Sequence, residues 1–365
     1  MSEEKKTGVT VHDPDRAWAG YTLFAESYED AAEAPDGKAK IFLIDMAGTV
    51  VHTWTVETAL QSHCRLLANG NLIYPTRDRS NITRAGLREL DRDSNVVWSY
   101  HCRVDHDTQV LASGNLMIHT LVDFPWPELG PELKRHPHIL EITRDKDVVW
   151  EWRGEEHLAE LEALLPTEAW QHFQERVHGK FSFDWAHNNT CQIIPPNETY
   201  EKEKAAGETP RFKPGNIVFS YRSVDIIGVI DRDTGEIVWA WGPGVIDGQH
   251  KPHMLPNGNI LIFDNGTLRG YSRVIELDPL TEEVVWEYTA EPKDAFSSAY
   301  ISGAQRLPNG NTLICEGGRM RLFEVTPEGE IVWEFRYPWH RPGGLNTIYR
   351  CLRYSAECVK PLLER

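Results

Sequence analysis

Four histidines stand in comparable settings along the chain. His63 (Ser62-His63-Cys64-Arg65), His106 (Asp105-His106-Asp107), His187 (Asp184-Trp185-Ala186-His187-Asn188-Asn189) and His250 (Gln249-His250-Lys251-Pro252-His253) each lie in a short polar stretch that opens an apolar strand. Two further stretches at the same place in the pattern carry other polar groups: Ser302-Gly303-Ala304-Gln305, and Tyr349-Arg350 with Arg353. Imidazoles brought together can exchange protons near neutral pH, attack an electrophile or hold a metal ion. As neutral ligands, His63, His106, His187 and His250 would suit a divalent metal ion such as Zn, Fe, Mn or Cu, with Asp105, Asp107 or Gln305 completing or orienting the shell. That chemistry would make the chain a metal-dependent lyase, hydrolase or oxygenase. The alternative role for such polar residues is structural, since groups lining a wet channel also hydrogen-bond one another.

These stretches converge only if the fold repeats, and the sequence does repeat. An apolar-apolar-x-Trp motif recurs at Trp54, Trp98, Trp150, Trp239, Trp286 and Trp333. An Asn-Gly or Ser-Gly turn flanked by apolar runs precedes it in LLANGNLIY, VLASGNLMI, MLPNGNILI and RLPNGNTLI. Between the two lies a third strand ending in an acidic turn, as in LRELDRDSN, ILEITRDKD, GVIDRDTGE, VIELDPLTEE and LFEVTPEGE. Each unit therefore reads as four antiparallel strands, with Asn-Gly supplying the positive φ of a tight hairpin. Four strands at a period of about 45 residues are the mark of a propeller blade.

The interval from Trp150 to Trp239 is about twice the others, and it contains extra text rather than a missing blade. Residues 155–178 have helical periodicity with one Pro break, which predicts a two-helix insertion in the third blade. Residues 197–214 read as a polar, mobile loop of the same blade. At the termini, LNTIYRCLRY looks like an innermost strand without partners, while YTLFAES, KIFLIDMAG and VVHTW are three strands without an innermost one. Joining them in one blade removes the free edges of an open ring. The expected architecture is all-β, one six-bladed propeller domain over residues 1–365 closed by its N-terminal strands, with the histidine stretches at one mouth of its channel.

Composition narrows the partners. With 55 acidic against 38 basic residues the formal net charge is -17, which disfavours nucleic acid and anionic membrane as partners. The first twenty residues contain no apolar run, and no stretch has the length of a membrane span, so a cytoplasmic location is expected. The six cysteines show no CxxC spacing and read as reduced fillers of blade interiors. The expected partner is a small molecule, aromatic or anionic, in the axial pocket. Trp185, Asn189, His253, Gln305 and Arg350 are candidates to contact it, as are Arg77, Arg79, Tyr221 and Arg222, which follow second strands near the same mouth. Trp126 and the 155–178 insertion are candidates for a lid. The remaining histidines His136, His138, His172 and His178 are expected in loops or the insertion, exposed to solvent.

Around two of the histidines the text resembles the arylsulfotransferase family of six-bladed propellers. The matching segments are FSFDWAHNN at His187, and GQHKPHMLPNGNILIFDNG followed by YSR at His250 and Arg273; the blade pattern is similar from about Ala19 to Arg353. The resemblance implies nucleotide-independent sulfuryl transfer from a phenolic sulfate to another phenol through a sulfated histidine, with no metal needed. It would give His187 and His250 the grip on the sulfuryl oxygens and a share in proton transfer. Arg269 or Arg273 would neutralise the oxyanions, a role that suits a planar guanidinium. The family's covalent histidine lies late in the chain, where His340 of the PWHRPGG loop is the candidate. A propeller that only binds ligands is a third reading, because the fold alone does not imply catalysis.

Overall fold

Turn chemistry sets the strand pairing in four of the six repeats. The computed structural model describes residues 7–28, 33–34, 37–78, 84–179, 182–338 and 347–364. In the Leu67–Asn71 turn, Gly70 N–H donates to the Leu67 carbonyl at 2.9 Å and Leu67 N–H to the Asn71 carbonyl at 2.8 Å. Only the glycine is left-handed, at φ +83°. The turn is thus a type I turn closed by a left-handed glycine, rather than the two-residue hairpin that Asn-Gly suggests. Gly114, Gly258 and Gly310 repeat it. The second Asn of each motif then reaches the acidic residue of the third strand: Asn71–Glu89 (2.6 Å), Asn115–Glu141, Asn259–Glu276 and Asn311–Glu324 (each 2.7 Å). All four glutamates are buried. Each bond therefore satisfies a carboxylate inside the sheet stack and fixes the register of two strands.

The strands form six antiparallel sheets, the blades of a six-bladed β-propeller. Contacts within the chain define two compact units of three blades each. The first unit, Met1–Cys102 with Phe296–Arg365, holds the first, fifth and composite blades. In the composite blade, innermost Ile348–Tyr354 pairs with Tyr21–Glu26, followed by Ala39–Ile44 and Val50–Val56, so the two ends of the chain share one sheet. The first blade has a divided innermost strand, Ala59–Leu60 and Arg65–Leu66, with His63 in the gap. The fifth blade runs from Gly303–Arg306 out to Ile331–Arg336 and gains Gly8–His12 as a fifth, outer strand, an addition the sequence pattern did not announce. The second unit, Arg103–Ala295, holds three complete blades whose innermost strands are Val104–Val110, Asn188–Ile193 and His250–Met254.

The repeated tryptophans join blades. Indole Nε1 of Trp54 donates to Asp91 O, Trp150 to Arg232 O and Trp333 to Met46 O, in each case the turn of the next blade (2.9–3.1 Å). Each of these three rings buries apolar area while its one polar atom is satisfied, whereas the indole nitrogen of Trp239 has no hydrogen-bond partner among the described residues.

Two helices, α1 (Leu158–Leu164) and α2 (Thr167–His178), occupy the predicted insertion. They connect the outer strand of the second blade (Val148–Arg153) to the inner strand of the third, rather than lying within the third. The 197–214 segment departs from expectation: it carries helix α3 (Glu198–Ala206), capped by Asn197, whose side chain accepts from Tyr200 N–H. Buried Glu203 accepts from Arg211 and from the Phe212 amide, and Thr199 donates to Gly258 O, so α3 is tied onto the fourth blade's turn. Its near-uniform polarity hides it from periodicity arguments. The short α4 (Ala356–Leu363) ends the described chain.

Candidate active site

The innermost strands of the second unit are irregular where the histidines sit. Pairing with the second strand is broken between Val104 and Thr108, between Asn188 and Cys191, and between His250 and His253. Such bulges re-aim side chains that a regular strand would turn into the sheet. Local backbone agrees: His187 and Lys251 take left-handed φ of +44° and +55°. Both cost strain and hold only because neighbouring bonds fix them. For His187 those bonds come from the turn after Tyr221: Ser223 N–H donates to Ala186 O, Arg222 N–H to His187 O, and Ser223 Oγ to Asp184 O. Helix α2 packs on this turn, with Arg176 bound to Ser223 O (2.9 Å) and to Asp225 (2.8 Å), and His172 at 3.1 Å from Asp225. The insertion therefore braces the backbone that carries His187.

Two aspartate–histidine pairs face each other in this unit. His187 Nδ1 lies 2.6 Å from Asp184 Oδ2, and His106 Nδ1 lies 2.5 Å from Asp105 Oδ2. Their ring centres are 4.7 Å apart. A carboxylate at Nδ1 makes that nitrogen the proton-bearing one and turns the Nε2 lone pair outward. His119, from the second strand of the second blade, stands behind them: it is completely buried, its Nδ1 is 3.5 Å from Asp105 Oδ2, and neither ring nitrogen has a hydrogen-bond partner among the described residues. Burial pulls the His119 imidazole down to about 4, outweighing Asp105, so it is neutral at physiological pH. Burial also acts to raise the Asp105 carboxyl, but the charge and hydrogen bond of His106 prevail and hold it well below the usual range. Asp184 behaves alike: burial raises it, and the hydrogen bond and charge of His187 lower it further. Two ionised carboxylates and three imidazoles thus share one locus.

His250 is held by Asn265 Oδ1 at 2.7 Å from its Nδ1, and the strand it opens is tied to the strand after His187 by Asn189 Nδ2 donating to Gln249 O (2.8 Å). Asn189 is wholly buried in that role, which places it as a strut between blades rather than a substrate contact. The same use of innermost polar groups recurs. Gln305 takes both the N–H and the C=O of Arg353, and Asp107 accepts from Gln192 Nε2 (2.6 Å) and Cys191 N–H (3.2 Å). Asn189, Gln305 and Asp107, polar residues of the innermost strands, therefore act as ties between neighbouring strands.

Several other expected site residues have structural positions. Arg269 and Arg273 both bind the buried Asp264, at 3.0 and 2.7 Å, and Arg273 also holds Glu287 and Val245 O. Their charge is neutralised in place, which argues against either one meeting an oxyanion. Trp185 and Tyr221 have no exposed surface; their rings stack edge to face at 5.2 Å in an apolar cluster with Trp126, Leu161, Phe173 and Val177. Substrate cannot reach them there, and Trp126 is likewise a core residue beneath the insertion. His136 and His138 lie buried in strand Leu133–Ile142, contrary to the expected exposed loops, because the central hairpin of the second blade is long. His253 Nδ1 bonds Lys251 O. In the first unit, His63 stacks on Tyr349 and its Nδ1 is 3.4 Å from Arg350, whose Nε donates to Ser302 O. His340 and Arg79 lie outside the described residues.

The sequence reading missed His119 and did not pair Asp184 with His187. The i, i+3 spacing of Asp184 and His187 is a legible signal, whereas His119 sits in the apolar run LMIHT and reads as strand interior.

No curated protein sequence matches the chain. Among solved structures it is similar to a protein of unknown function from Bacteroides caccae, at 14% identity and TM-score 0.56 over 92% of this chain and 99% of that one. A streptogramin B lyase (13% identity, TM-score 0.46, 89% and 90%) and virginiamycin B lyase from Staphylococcus aureus (12%, 0.42, 80% and 83%) also match. At such identities the first likeness speaks for the fold alone, and the other two carry no functional weight. The family model for Arylsulfotransferase (ASST) matches residues 68–338, a span that contains both aspartate–histidine pairs, His119 and His250, and the chain belongs to the arylsulfotransferase family.

Proposed function

We propose that the protein transfers a sulfuryl group between small phenolic molecules, with His187 as the residue that carries the group. The observation behind this reading is the Asp184–His187 pair, held at 2.6 Å and facing His106. The Asp184 carboxylate fixes the proton on Nδ1, leaves Nε2 as the nucleophile, and stabilises the positive ring that forms when Nε2 is substituted. His187 is a quarter exposed, so a substrate can approach it.

In the first half-reaction the donor S–O bond breaks as an N–S bond to His187 Nε2 forms, and the departing phenolate takes a proton from His250. In the second, the acceptor phenol returns a proton to His250, its oxygen bonds sulfur, and the N–S bond breaks. Asn265 holds the His250 ring for this exchange. Family membership supports the reaction class, and the two aspartate–histidine pairs support the choice of residues.

The test is release of a coloured phenolate from an aryl sulfate, with and without a second phenol as acceptor. Acceptor-dependent release that disappears in His187→Ala is expected. Release at wild-type rate by His187→Ala, with loss in His340→Ala instead, would move the covalent role to His340; no release from any aryl sulfate would overturn the reading.

A further inference from the structure

We infer that Asp105, His106 and His119 form a binding site for one divalent metal ion of the zinc type, adjacent to His187, and that the ion supplies the positive charge an anionic sulfuryl group needs; the second clause rests on the transfer reading above. One ligand atom from each of the three residues lies within 4.8 Å of the others. Zinc bonds of about 2 Å in a tetrahedron place ligand atoms about 3.5 Å apart; His119 Nδ1 and Asp105 Oδ2 already have that spacing, and the 2.5 Å His106–Asp105 contact would open to admit the ion. Two imidazoles and one carboxylate with a fourth position open is the donor set of catalytic rather than structural zinc sites.

The independent observation is His119. An imidazole with no exposed surface normally bonds at least one of its nitrogens, and here neither has a partner among the described residues, with one of them 3.5 Å from Asp105. A fully buried imidazole with neither nitrogen hydrogen-bonded and one of them 3.5 Å from a carboxylate is better satisfied with a cation held between the two groups.

Electrostatics of the locus point the same way. Asp105 and Asp184 each set a carboxylate oxygen against a histidine Nδ1 of this cluster, 2.5 Å from His106 and 2.6 Å from His187. The arginines expected to meet the oxyanions, Arg269 and Arg273, are bound to Asp264. Two carboxylates repel an approaching sulfate ester, and a bound dication offsets their charge and presents a cation to the sulfuryl oxygens.

The experiment uses the full chain, stripped with a chelator, dialysed and titrated with Zn(II) by calorimetry and with Co(II) by visible absorption. Saturable uptake of one equivalent is expected, with a tetrahedral Co(II) spectrum. Affinity should fall at least tenfold in Asp105→Asn and His119→Gln, and remain unchanged in His172→Gln. Because His119 is buried, His106→Gln serves as a partly exposed second probe, and thermal melts of each variant verify folding. Absence of saturable uptake by the wild-type chain, or unchanged affinity in folded Asp105→Asn and His106→Gln, would overturn the site. Sulfuryl transfer by protein that binds no ion would also refute this inference while leaving the proposed reaction standing. Metal uptake without transfer from any aryl sulfate would uphold the site and refute the reaction.

Discussion

Replacing Asp184 by Asn isolates the electrostatic contribution of the carboxylate to the His187 nucleophile. The substitution keeps size and hydrogen-bonding capacity but removes the charge opposite a ring that becomes positive during transfer. A carboxylate and an imidazolium whose charges are about 4 Å apart attract by about 4 kcal/mol at an effective dielectric of about 20. Both side chains are partly exposed, 27% for His187 and 26% for Asp184, so solvent screening reduces this to about 2–3 kcal/mol. Such a loss slows the step by about 30- to 150-fold. The assay is kcat/KM for phenolate release from an aryl sulfate, with circular dichroism to verify the fold. The loss should fall mainly on kcat, since the charge develops on substitution rather than on binding. An Asp184→Asn enzyme within threefold of wild type would refute the claim that this pair drives the chemistry.

Arg273→Met should leave kcat/KM unchanged while lowering stability by about 2 kcal/mol, because Asp264 keeps Arg269; a selective kinetic loss with an unchanged melting midpoint would restore its catalytic assignment. In the first unit, Glu324→Gln leaves the fully buried Arg353 without its anion and should cost about 3–5 kcal/mol by urea denaturation, partly recovered in the double variant with Arg353→Met. Burial lowers the pKa of His52, His136 and His138, so the unfolded chain takes up protons first as pH falls below about 6.5. Their stabilising contribution is complete above that pH and is lost on acidification; urea midpoints should drop between pH 7.5 and 5.5, and His136→Gln should flatten the slope.

The blades were legible because their signals are local. An apolar-apolar-x-Trp strand and a glycine turn each act within one hairpin, so six copies could be counted without knowing any long-range contact. The Asn–Glu bonds across neighbouring strands were hidden in plain sight, since both residues recur in four of the copies but only the register joins them. Arg273 misled for a related reason: it is paired directly across the hairpin with Asp264, so the text FDNG followed by YSR contains a neutralised cation. At the candidate site, His106 and His187 were visible by their place in the repeat. His119 was not, because its position alternates with core residues and its role depends on a bulge in the adjacent strand. The helix over Glu198–Ala206 escaped because it is polar on nearly all sides and is held by Glu203 and Thr199 rather than by an apolar stripe.

The most direct test of the account is to capture the covalent intermediate. The protein is mixed with an aryl sulfate in the absence of acceptor, quenched at high pH where a sulfated imidazole survives longest, digested, and analysed by peptide mass spectrometry. The account predicts one added sulfuryl group on the peptide carrying His187, absent from His187→Ala and diminished in Asp184→Asn. A sulfuryl group on any other residue, or turnover of the aryl sulfate with His187 never modified, would contradict it.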